Sequence, residues 1–141
     1  MADTTTLLNQ FLTRLYAQQA SRRSVAQTAA VASVAALTLG ASDGTFEVAA
    51  NVLVTTATTH AFTVTCAYTD EGNTARTLTL PFVLVAGTAI VTSVANAAGA
   101  VPYMGMPVRI RAKAATTVTI ATTGTSTTVT YNVEGSIWQI A

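Results

Sequence analysis

Titratable chemistry is scarce in this chain. It holds one histidine (His60), one cysteine (Cys66) and one lysine (Lys113), and only 9% of its 141 residues are charged. An active site needs several polar, titratable groups that converge, so no catalytic residue and no enzymatic activity is expected. A lone Cys66 excludes an intrachain disulfide and any paired-cysteine metal motif. No EF-hand, phosphate-loop, dinucleotide or zinc spacing occurs, and so no metal and no cofactor is expected. A net charge of +1 and a pI near 7.9 supply no field for nucleic acid. The first residues lack the basic segment of a secretory signal. Residues 25–41 are uncharged and rich in alanine, but they are too short for a membrane span and carry Gln27, Thr28, Ser33 and Thr38. No membrane partner is expected.

What is abundant is small and β-compatible. About a fifth of the chain is threonine and another fifth alanine. With so few large apolar side chains, a thin core shared among many strands is expected, completed by neighbouring copies in an oligomer.

The N-terminus reads differently from the rest. Asp3 or a following threonine can cap a helix, and Leu7, Leu8, Phe11, Leu12, Leu15 and Tyr16 recur at three- and four-residue spacing. This predicts an amphipathic helix over 4–22, ending near Arg22-Arg23. A single helix of that length needs a surface to lie on. Packing on its own domain, bundling with other copies, and docking onto a larger assembly all satisfy that need. Residues 24–41 fit helix or strand, and the division is placed between an N-terminal helical arm (1–41) and a β-domain (42–141).

From Thr45 the period is two. Phe46, Val48, Ala50, Val52 and Val54 share one face of a strand. Phe62, Val64, Cys66 and Tyr68 share another, which makes Cys66 a buried thiol. Asp70-Glu71-Gly72-Asn73 reads as a hairpin connection. Its oxygens are too few to hold calcium. The return strand carries Pro81, which marks an edge or a strand leaving its sheet. Residues 96–105 read as the longest loop, with Tyr103 as its exposed aromatic and the residue best placed to meet a glycan. Gly135 separates Val129–Val133 from a last strand near Trp138. About eight strands at this spacing predict a mainly β fold, an antiparallel β-sandwich (jelly-roll-like) preceded by the helix.

Arg109, Arg111 and Lys113 alternate with Ile110 and Ala112, so three cations share one strand face. Three roles are open to them: a solvated face that discourages edge pairing, a subunit contact with Asp70, Glu71 or Glu134, or an anionic ligand site. The carboxylates Asp43, Glu47, Asp70, Glu71 and Glu134 form no pair of the kind glycoside hydrolysis requires.

Two stretches resemble the small β-domains of tailed-bacteriophage virion proteins. One is Cys66–Asn73 with Arg76-Thr77-Leu78 and Pro81-Phe82; the other is Arg109–Ala114 with Thr116–Thr119, closing in Tyr131–Gly135. The resemblance spans residues 44–141. Proteins of this kind include capsid-decoration, head-fibre and tail-associated proteins. It implies a trimeric β-sandwich located in the virion and mounted on major capsid or tail proteins by its N-terminal segment. The alternative is a carbohydrate- or receptor-binding head centred on Tyr103.

Overall fold

A computed structural model describes residues 3–8, 18–56, 58–84, 89–97, 101–124 and 129–141, the side chains of 58–60, 95–97 and 101 excepted. The chain is mainly β. Residues 4–8 form a short helix, begun by Asp3: its carboxylate accepts from the Thr5 N–H (3.2 Å) and its carbonyl from the Leu7 N–H (3.1 Å). Twelve strands follow among the described residues. They are β1 (Gln19–Gln27), β2 (Ala35–Thr38), β3 (Gly44–Val54), β4 (Thr58–Thr69), β5 (Ala75–Thr79), β6 (Phe82–Leu84), β7 (Ile90–Val91), β8 (Val94–Ala97), β9 (Val101–Gly105), β10 (Val108–Ala112), β11 (Thr117–Thr123) and β12 (Tyr131–Gln139).

They make two antiparallel sheets. The larger runs β1-β12-β3-β9-β6-β7, with β10 also paired to β3. The smaller runs β2-β11-β4-β5, with β8 also paired to β4. β12 occupies one edge of β3 from Phe46 to Val54, so β10 and β9 must share the other edge, over 44–48 and 52–54. The strip between them, Gly105-Met106-Pro107, bends tightly against β3.

Strict alternation of burial along β3, β11 and β12 follows from the period-two pattern. The inward residues of both sheets join one core that includes Phe46, Val52, Phe62, Cys66, Ile120 and Tyr131. The Phe62 and Tyr131 rings meet across the two sheets at 4.6 Å. Gly135 faces the smaller sheet, where a Cβ would stand 3.2 Å from Val34 and Ala35 and 3.3 Å from Ile120. A glycine fits there because a Cβ would crowd these three side chains, and β12 runs straight through it as one nine-residue strand. The two strands expected on either side of Gly135 are therefore one.

The chain changes sheet at Leu80-Pro81: β5 pairs with β4, and β6 pairs with β9 and β7. That is the departure Pro81 signals. The expected helix over 4–22 is corrected at its end, because Gln19–Gln27 is a strand paired antiparallel with β12. β2 likewise pairs with β11 and brings Val34, Ala35 and Leu39 to the core. Both strands precede residue 42 and are integral to the sheets.

The segment between β1 and β2 is pinned by one buried group. Tyr131 Oη donates to the Ala29 carbonyl (2.7 Å) and lies 2.8 Å from Thr122 Oγ1, which accepts from the Val31 N–H (2.8 Å). Burial pushes the Tyr131 phenol above its ordinary pKa, opposed in part by its bond to Thr122. Tyr131→Phe keeps the ring but leaves the Ala29 carbonyl without its donor and the Thr122 hydroxyl without its acceptor, which should cost about 1–3 kcal/mol. Amide exchange at residues 29–31 checks this: their protection should fall before that of β3.

Candidate functional site

Of the described exposed large apolar side chains, Val25 and Ile140 lie on β1 and next to the chain end, and the others fall in two places. Leu7 and Leu8, in the short helix, are 53% and 55% exposed and lie outside the core cluster. Phe11, Leu12, Leu15 and Tyr16, the rest of the proposed attachment face, lie outside the described residues.

The second place is the outer face of the larger sheet. Val83 pairs with both Ile90 and Met104, so the three form one cross-strand row. Ile90 is 62% and Met104 49% exposed. The register continues this row to the polar residues Asn51, Glu134 and Arg23 on β3, β12 and β1. A shallow groove of about 190 Å³ runs beside it, lined by Leu53 and Pro102 as well as Asn51, Met104, Asn132 and Glu134. Sequence reasoning missed this strip. The available signal was that Ile90-Val91 and Tyr103-Met104 are adjacent apolar pairs, of which only one member can face the core.

Tyr103 is not an exposed loop residue. It lies on β9, is only 3% exposed, and meets Phe82 edge to face at 6.1 Å. The described part of the expected long loop is the end of β8 and the whole of β9, and β9 carries Tyr103 inward. Trp138 faces outward on β12, in register with Gln19 and Glu47, and is half-buried.

Arg109 and Arg111 stand along the outer side of β10, Lys113 follows just past its end, and each is engaged within the chain. Arg109 Nε binds Glu47 (3.1 Å), Arg111 binds Glu71 (2.8 Å), and Lys113 Nζ donates to Asn73 Oδ1 (2.9 Å). Arg109 and Arg111 thus have carboxylate partners within the chain, whereas the partner of Lys113 is a neutral amide. At 73% and 65% exposure of the arginine side chains, such pairs contribute little to stability.

The β4–β5 hairpin these cations reach is organised by Asp70. Its Oδ1 accepts from the Thr74 N–H (2.8 Å) and its Oδ2 from Arg76 Nε (2.7 Å). Asn73 adopts a left-handed φ of 64°, which asparagine tolerates. The Thr74 N–H, then Arg76, hold the Asp70 carboxyl below the ordinary carboxylate range. A lowered pKa in the folded state stabilises fully above the unfolded-state value, and that contribution is lost as pH falls through the folded value. Acidification below the ordinary carboxylate range should therefore loosen this hairpin, and Asp70→Asn should flatten that dependence. Exchange at the Asn73 and Thr74 amides against pH measures it.

The remaining chemistry is sparse. Burial pushes the Cys66 thiol up to about 12, so it stays protonated and unreactive. Among the described residues, no three of His, Cys, Asp and Glu gather where they could share a metal. His60 lies at the start of β4.

No family model and no curated protein matches the chain. Two solved structures resemble it at low similarity. One is the SPBc2 prophage-derived protein YomS: TM-score 0.35, 10% identity, covering 84% of this chain and 93% of that one. The other contains the CBM22-1 and GH10 modules of Clostridium thermocellum endo-1,4-β-D-xylanase 10B in complex with xylohexaose: TM-score 0.36, 11% identity, covering 88% of this chain. The chain spans about a quarter (26%) of that xylanase chain. Neither similarity is high enough to assign a common architecture or role.

Proposed function

We propose that this chain is a non-enzymatic structural protein of a tailed-bacteriophage virion. In this reading it is an oligomeric, trimeric capsid-decoration, fibre or tail-associated protein attached through its N-terminal segment to capsid or tail proteins. The two sheets are taken as the layers of a jelly-roll-like β-sandwich, and their shared core supports that. The observation that carries the proposal is the exposure of Leu7 and Leu8 beside a body whose core is filled without them. An apolar helical face left over by its own domain is suited to another surface. Each large side chain of the face would contribute on the order of 1.5–3 kcal/mol if fully buried there. Copies repeated on one lattice would gain avidity. The exposed Ile90–Val83–Met104 row offers a second apolar surface for packing between copies.

The rival reading, a carbohydrate- or receptor-binding head, loses the exposed aromatic on which it was centred, because Tyr103 is in the core. Mass spectrometry of virions banded on a density gradient tests the proposal. The chain should co-band with whole particles in many copies. Its absence from particles while the gene is expressed would overturn the virion role.

A further inference from the structure

Both sheets end on the same side of the molecule, at β1 and β2, with no strand beyond either among the described residues. Between these edges lies a cleft of about 410 Å³, lined by residues 19–22 and 33–36. Just before β1, the Gln18 side chain accepts from the Gly40 N–H (3.3 Å).

The backbone phase of β1 can be read from one bond. The Gln139 N–H donates to the Gln18 carbonyl (2.8 Å), and the register continues as Gln19 with Trp138. Hydrogen-bonded pairs alternate in an antiparallel ladder. Ala20, Arg22 and Ser24 therefore turn their backbone groups towards β12, and Gln19, Ser21 and Arg23 turn theirs to the open edge. The edge stops being regular beyond Ser24. There the register shifts, Ala26 takes a φ of 51°, and the Val25 carbonyl accepts from Gln27 Nε2.

Two cations frame this short edge. Arg22 is in register with the buried Gly135, so its side chain emerges on the inner side, at the cleft. Arg23 is in register with Glu134 on the outer side. Neither forms an ion pair among the described residues, whereas Arg76, Arg109 and Arg111 all do.

We infer that the Gln19–Arg23 edge is a docking site for an acidic, extended segment of a partner protein. That segment adds to the larger sheet as a further strand, and its carboxylates meet Arg22 and Arg23. Strand addition supplies main-chain hydrogen bonds, and side-chain charge supplies selectivity. The arginines also disfavour the most obvious competitor: two copies pairing antiparallel through this edge would bring the cations together, a recognised guard on open edges. The site is independent of the helical segment and of the virion reading.

The test uses the full-length, isotopically labelled protein and two synthetic peptides, acetyl-TVTEETV-amide and its lysine counterpart acetyl-TVTKKTV-amide, whose two adjacent charges point to opposite faces of a strand as Arg22 and Arg23 do. Saturating acidic peptide should slow amide exchange at Gln19, Ser21 and Arg23 by about tenfold or more, and leave residues beyond Val25 unchanged. The lysine peptide should give no protection, and neither should the acidic peptide on the R22E/R23E double variant, whose other amide signals report an intact fold. Three results would overturn the inference: no protection by the acidic peptide, equal protection by both peptides, or protection that persists in R22E/R23E. Protection that rises with protein concentration without peptide would overturn it in favour of a second copy as the occupant.

Discussion

Gly105→Ala should be among the most damaging single-methyl substitutions in this protein. A Cβ at Gly105 would fall 2.1 Å from the Ala50 carbonyl oxygen, 2.8 Å from its carbonyl carbon and 2.9 Å from its nitrogen. All three are main-chain atoms. β3, which carries them, is held by β12 along one edge and by β9 and β10 along the other, so it cannot retreat. The alternative, moving Gly105 outwards, breaks its N–H bond to Asn51 Oδ1 (2.8 Å) and displaces the strand that buries Tyr103. A clash of this kind belongs with the severe tail of point mutations, at least about 3 kcal/mol. For a chain of this size that corresponds to a fall in melting temperature of about 10 °C. Thermal unfolding followed by circular dichroism measures it. Gly72→Ala provides the contrast: its Cβ would meet only the Asp70 side chain, at 3.3 Å, and a small effect is expected.

The second large effect concerns assembly and leaves stability untouched. Phe11→Asp with Leu15→Asp places two carboxylates in the three- and four-residue apolar spacing that the sequence continues from Leu7 and Leu8. Buried against a partner, each would require desolvation without a compensating cation, and burial of such a charge is strongly unfavourable. Oligomerisation and attachment should be abolished. The β-sheets should melt as in the parent, because the buried core among the described residues begins at Val34 and does not include Leu7 or Leu8. Size-exclusion chromatography and a thermal melt on the same sample separate the two outcomes. Loss of folding along with assembly would show that the segment packs on its own domain.

The parts of the fold legible in the sequence are those where one side of a strand is buried. Phe46 to Val54 and Phe62 to Tyr68 alternate because each contributes one face to the core, and Cys66 follows as a buried thiol. Pro81 was legible for a different reason: it lacks the N–H a continuing ladder needs. β1 was not. Gln19–Gln27 is an edge strand exposed along most of its length, so no apolar phase marks it, and the helical spacing of Leu7 to Tyr16 runs directly into it. Tyr103 was misread because Pro102 and Gly105 are turn formers, whereas here the glycine permits close approach to β3. Arg109 and Glu47 are 62 residues apart, and only the pairing of β10 with β3 brings them together. The row of cations was visible along the strand, and their partners required the topology.

The central claim is that the N-terminal segment, whose Leu7 and Leu8 lie outside the core, attaches and assembles a β body that folds without it. Light scattering on the full-length protein and on a chain beginning at Gln18 tests it most directly. Starting at Gln18 retains β1 and β2, which a start near Ser42 would remove from both sheets. The account predicts a full-length trimer and a folded, monomeric shortened chain. A monomer in both cases, or an unfolded shortened chain, would contradict it.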